Sequence, residues 1–150
     1  MQRPIEYQNL IKTGALEAVA PTPGAKALYL INARNYLTSA KQIDAALSMQ
    51  IFTAAYEGYF QMIQAVLEHY EVRAKDAGRN LVIQGVSSDL KLSTAEFALV
   101  NKAHSRRNAT TYQSPFPPVS KAEADAITAV LEKYLVAAHK LTASGPGRRN

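Results

Sequence analysis

Cysteine is missing from this chain of 150 residues, and so is tryptophan. Without cysteine there is no disulfide framework, no zinc–thiolate site, no iron–sulfur cluster and no thiol nucleophile. Proline is absent between Pro23 and Pro115, all seven prolines lying at 4, 21, 23, 115, 117, 118 and 146. That interval is where helices are expected, because nothing in it removes a backbone donor. No apolar run approaches the roughly 20 residues that span a bilayer. The opening residues, Met1 to Gln8, lack the apolar core of a signal peptide, so the expected compartment is the cytoplasm, with no membrane partner. Charged residues are sparse at 19% against 47% apolar, a balance that excludes a disordered or fibrous chain.

What is present points to helices packed closely. Twenty-five residues are alanine, the best helix former and a poor strand former. The length fits one domain. Seventeen Lys and Arg against twelve Asp and Glu leave a net charge of +5. This excess permits a polyanionic partner without requiring one.

Residues 5–19 carry Ile5, Leu10, Ile11, Leu16 and Val19 at approximate helical spacing, which predicts a short helix closed by Pro21-Thr22-Pro23-Gly24. A second helix is expected over Ala25–Ala40, with Leu28, Ile31 and Leu37 on its buried side. From Asp44 to Val72, polar residues recur at Thr53, Glu57, Gln61, Gln64, Glu68 and Glu71, one wet stripe of an α-helix. Phe52, Ala55, Tyr59, Met62, Ile63, Val66 and Tyr70 lie opposite. So broad an apolar arc places this helix at the centre of the fold. Gly58, one turn after Ala54, offers a point of close approach for another helix.

Arg73–Arg79 reads as a polar loop, and Asn80–Leu90 as a short helix rather than a strand at Leu81-Val82-Ile83. Two capping boxes follow, Ser93-Thr94-Ala95-Glu96 and Ser120-Lys121-Ala122-Glu123, each opening a helix. The first helix should run to about Thr111. The second should bury Ile127, Val130, Leu131, Tyr134, Leu135, Ala138 and Leu141. The expected fold is all-α, an antiparallel four-helix bundle with an extra short N-terminal helix. Its organisation is a short helix and linker over 1–24, the bundle over 25–142 and a flexible basic tail over 143–150.

Chemistry-bearing motifs are few. His69, His104 and His139 each lack the Glu three residues earlier that a di-iron bundle uses, so no metal site is expected. No phosphate-binding Gly-rich loop occurs, and no cofactor is expected. One segment stands out: His104-Ser105-Arg106-Arg107-Asn108-Ala109-Thr110-Thr111-Tyr112, with Lys102 just before it. At about 100° per residue, His104, Arg107, Asn108 and Thr111 share one helix face. A guanidinium fork suits phosphate. Read from spacing alone, the same cluster also fits a basic helix end complementing its own dipole.

Arg107-Asn108-Ala109-Thr110-Thr111-Tyr112, near the end of the penultimate helix, resembles the signature of the HEPN superfamily (higher eukaryotes and prokaryotes nucleotide-binding). Those domains carry an Arg, usually a polar residue after it, and a His a few residues on. Phe52-Thr53-Ala54-Ala55-Tyr56-Glu57-Gly58-Tyr59-Phe60 is similar to their long aromatic helix. The resemblance spans about residues 25–141 and is closest to small stand-alone bacterial members. It implies a bundle that forms a homodimer, with motif residues of both subunits lining a cleft. It also implies that Arg107 holds an RNA or nucleotide phosphate, with Lys102, Arg106, Asn108 and Tyr112 around it. In active members the His moves a proton in metal-independent RNA cleavage, and several are toxins paired with a nucleotidyltransferase antitoxin. Here Tyr112 stands where that His would be. With a pKa of about 10, tyrosine is a poor base at neutral pH, though it can donate a hydrogen bond or stack on a base. His104, one turn before Arg107, is the substitute base if there is one. Three readings follow: a binding protein of a toxin–antitoxin or defence system, a metal-independent ribonuclease built on Arg107, Tyr112 and His104, or a non-catalytic helical dimer.

Overall fold

The structure, a computed structural model, describes residues 2–75 and 78–143. Of the expected tail, only Ala143 falls within them; the rest lies outside the described residues. Six helices and one two-stranded ribbon follow in the order α1 (Ile5–Lys12), β1 (Leu16–Ala18), α2 (Ala25–Gln42), α3 (Ser48–His69), β2 (Val72–Ala74), α4 (Arg79–Asp89), α5 (Thr94–Tyr112) and α6 (Lys121–Ala143). The protein is all-α in substance, with α2, α3, α5 and α6 as the four long helices of the bundle.

The central position expected of the third segment is observed. α3 packs most extensively on α2 and α6 and also meets α4, α5 and β2. Its predicted apolar residues, from Phe52 to Tyr70, are all buried, and the polar stripe lies at the margin or in solvent. Gly58 is the predicted point of close approach. A Cβ there would lie 2.8 Å from the Tyr36 Cβ and 2.7 Å from a Leu131 methyl, so α2 and α6 both press on that spot. Lys26 Nζ donates to the Thr142 carbonyl and Lys41 pairs with Glu132, which sets α2 antiparallel to α6.

Both capping boxes form. Ser93 Oγ accepts from the Glu96 amide while Glu96 Oε1 accepts from the Ser93 amide. Ser120 and Glu123 repeat the exchange at the start of α6. Each box satisfies donors that a helix start would otherwise leave unpaired.

Four expectations are corrected. The first helix stops at Lys12, not Val19. Gly14 takes a left-handed φ of 84° and closes a Schellman motif, its amide reaching the Ile11 carbonyl and that of Ala15 the Leu10 carbonyl. Leu16–Ala18 then form a strand that pairs antiparallel with Val72–Ala74, so the polar loop expected from Arg73 is strand at its start and helix by Arg79. In that ribbon Leu16 and Val72 are buried while Glu17 and Arg73 pair in solvent. The central helix is also shorter than Asp44–Val72. Asp44 forms a turn, its carboxylate accepting from the Ala46 amide, and Glu71 turns the chain out of the helix at a φ of 57°.

On α2, Leu28 and Ile31 are more than half exposed, and the buried positions are Ala33, Leu37 and Ala40. The close approach at Gly58 explains this reversal. Ala33 sits against Gly58, where only a small side chain fits between two backbones so near, and that facing leaves Leu28 and Ile31 outside. On α1, by contrast, Tyr7 is wholly buried, its ring tilted against that of Tyr70 and its hydroxyl donating to the Asp89 carboxylate at 2.9 Å.

Candidate functional site

The motif segment ends α5, and its successive residues point to different neighbours. Arg106 turns toward α6, where Nε donates to Glu123 Oε1 at 2.9 Å and Nη2 to the Pro117 carbonyl at 2.6 Å. It therefore staples the α5–α6 connection to the capping box that opens α6. Lys102 is exposed on the same side, beside a groove of about 380 Å³ lined by Phe52 and alanines of α5 and α6. Arg107, one residue on, turns about 100° away and faces α3.

There the sequence-predicted residues His104, Arg107 and Asn108 come together around Tyr56. Arg107 places its guanidinium carbon 5.8 Å from the Tyr56 ring centre and 6.0 Å from that of Tyr112. Its Nη1 donates to Asn108 Oδ1 at 3.3 Å, and its Nη2 lies 3.5 Å from Glu57 Oε1. That is a long ion pair at a partly solvated position, and it leaves the guanidinium open on other sides. Tyr112 is 74% exposed, an aromatic plane standing free beside the cation. Thr111, expected on the same face, is in solvent.

The hydrogen-bond directions can be worked out from Arg107. A guanidinium only donates, so Asn108 must offer it the amide oxygen. That turns Asn108 Nδ2 to His104 Nε2, 3.4 Å away, and makes Nε2 an acceptor. The proton of a neutral His104 then sits on Nδ1 and is donated to the Tyr56 hydroxyl oxygen at 2.8 Å. Burial keeps the imidazole neutral by lowering its pKa below the ordinary 6.5, and the charges of Arg79 and Arg107 push the same way. Tyr56 keeps its own proton, since burial raises its pKa more than Arg79 and Arg107 lower it. Its O–H thus remains a donor with no partner assigned by this chain of bonds.

Two residues that the motif reading did not include complete the cluster. Tyr56 supplies the ring at its centre. Arg79, the first residue of α4, lies 5.5 Å from the Tyr56 ring centre and stacks over Phe60 at 3.7 Å. Its Nε and Nη2 are buried and make no hydrogen bond among the described residues. No local signal in the sequence marks Arg79, because its neighbours in space come from other helices.

The site as a whole holds two guanidinium groups, one carboxylate, a neutral imidazole, an amide and two phenols. It is a cluster of donors with excess positive charge, suited to an oxyanion. Both ring nitrogens of His104 are engaged and the residue is 8% exposed, so it does not present a base to the surface. Among the described residues no group of His, Asp and Glu is arranged to hold a metal ion, and no helix is long and apolar enough to cross a membrane. Neither a comparison with protein-family profiles nor one with curated proteins returns a match to this chain.

Proposed function

We infer that this protein is a HEPN-like binding protein that takes RNA or a nucleotide by its phosphate and does not cleave it. The observation that carries the reading is Arg107 set between two aromatic rings, the buried Tyr56 and the exposed Tyr112. A guanidinium beside a free aromatic plane pairs a phosphate contact with a stacking platform for a base. Asn108 holds the guanidinium in place.

Catalysis is the weaker alternative. Proton transfer needs a group within reach of the 2′-hydroxyl and poised near neutral pH. His104 spends both nitrogens on Tyr56 and Asn108, and burial holds it away from the surface. The two-fold dimer implied by the family resemblance belongs to the same proposal. It is supported by the exposed aromatics Tyr112 and Phe116 at the end of the bundle that carries the motif.

The test is a titration of fluorescent single-stranded RNA against the full chain across a range of salt. Binding should fall steeply with salt, and Arg107→Ala should cost about 1–3 kcal/mol and flatten the salt slope by about one unit. Incubation with a chelator should leave the RNA intact. Binding unchanged in Arg107→Ala would instead favour the non-catalytic helical dimer. Metal-free cleavage abolished by His104→Ala would favour the ribonuclease.

A further inference from the structure

We propose that Arg79, with Tyr56 and Arg107, forms a subsite for a terminal phosphate, the phosphate monoester of a mononucleotide or of an RNA end. The proposal rests on the binding reading above and narrows the ligand class.

Three observations lead to it. First, Arg79 has no carboxylate in salt-bridge contact among the described residues. The staple Arg106 shows how this fold settles a structural arginine: a carboxylate at 2.9 Å and a carbonyl at 2.6 Å. Arg79 has instead a ring face at 3.7 Å, an interaction with the Tyr56 hydroxyl, and two buried nitrogens with no acceptor among the described residues. Guanidinium cannot shed its proton, so desolvated N–H groups without an acceptor are costly and call for an anion. The carboxylate of this cluster, Glu57, lies against Arg107.

Second, the chain of bonds from Arg107 through Asn108 and His104 ends on the Tyr56 oxygen and leaves the Tyr56 proton to be donated elsewhere. The donors around this ring are therefore Arg79, Arg107 and a phenol. All can meet an acceptor-only, many-oxygen group at once.

Third, the arrangement favours a chain end over an internal linkage. A phosphodiester carries one negative charge and has nucleic acid continuing on both sides. A phosphate monoester carries about −1.5 to −2 at pH 7 and has three free oxygens, enough to accept from Arg79, Arg107 and the Tyr56 hydroxyl together. Arg79 is half-buried as a residue, so its fork is not presented to a strand passing over the surface.

The experiment compares the full chain's affinity for one RNA oligonucleotide bearing a 5′-phosphate, a 3′-phosphate or hydroxyls at both ends, alongside AMP and adenosine. The expected result is that a phosphorylated end binds tighter than the hydroxyl-ended form by about tenfold or more. A preference for AMP over adenosine of the same size identifies a free nucleotide as sufficient. A preference confined to the oligonucleotide identifies the RNA end as the ligand. Arg79→Ala should erase the ratio between phosphorylated and hydroxyl-ended forms, with folding checked by circular dichroism. Should that variant not fold, Arg79→Lys keeps charge and stem but loses the fork, and it should still shrink the ratio. Equal binding of all ends by the unaltered chain, or a ratio that survives loss of Arg79, overturns this inference and leaves the binding function standing. No binding of any RNA or nucleotide overturns both.

Discussion

The hydroxyl of Tyr56 on α3 and the imidazole of His104 on α5 meet at 2.8 Å, both side chains buried. The bond joins the central helix to the helix that carries the motif, and it places Arg107 by way of Asn108. His104 is in this respect a positioning residue.

Removing it should therefore be felt in stability. His104→Ala leaves a buried phenol with a lost partner and should cost about 1–3 kcal/mol in urea denaturation at neutral pH. The pH dependence has a definite sign. Because the folded-state pKa lies below the ordinary 6.5, the unfolded chain takes the proton first as pH falls. The stability contributed by neutral His104 is present above about pH 6.5 and is lost below it. The gap between the parent and His104→Ala should narrow from pH 7 to pH 5, and a gap that widened would contradict neutral burial.

Arg106 and Arg107 are adjacent in sequence and should behave as different kinds of residue. Arg106→Ala breaks the contacts with Glu123 and Pro117, so it should lower stability by about 1–3 kcal/mol. Its effect on RNA affinity should be smaller than that of Arg107→Ala. Measuring melting temperature and RNA affinity on both variants separates the two roles.

Gly58→Ala tests the close approach of helices. Alanine is the better helix former by about 1 kcal/mol, so an open site would be stabilised. Here the added Cβ meets the Tyr36 Cβ at 2.8 Å and a Leu131 methyl at 2.7 Å. Overpacking should outweigh propensity, for a net loss of about 1–3 kcal/mol by chemical denaturation.

Glu96 provides an acid-sensitive tie. Its carboxylate closes the α5 capping box, accepts from Lys133 Nζ at 2.8 Å and accepts from the Tyr134 hydroxyl. Lys133 first, then Tyr134 and the Ser93 amide, hold its pKa down at about 2, below the ordinary 4.5. A depressed carboxylate stabilises above its unfolded pKa and loses that contribution as pH falls toward the folded value. Glu96→Gln should therefore be less stable than the parent at pH 7, with the difference vanishing between about pH 4.5 and pH 2. Thermal melts across that range would measure it.

Features whose causes lie within one or two helical turns are legible along the chain alone. The polar stripe from Thr53 to Glu68 marks α3 because a period of 3.6 fixes which side chains share a face. Ser93 and Glu96, or Ser120 and Glu123, find each other three residues apart whatever else the chain does. The same local reach brings His104, Arg107 and Asn108 onto one face. Tertiary structure decided what each face meets. Leu16–Ala18 become strand only because Val72–Ala74 lie alongside, a pairing across more than fifty residues that three-residue strands cannot announce by alternation. Leu28 and Ile31 lose the interface of α2 to the face of Ala33, Leu37 and Ala40 because Gly58 lets the backbones close there. The divergence of Arg106 and Arg107 needs two further helices to give it meaning, one offering Glu123 and the other Tyr56 and Glu57. Arg79 enters the site only through the packing of α4 on α3, which brings its guanidinium over Phe60 and beside Tyr56. Spacing along a helix states which residues face the same way. Which charges, rings and donors stand opposite is set by how the helices cross.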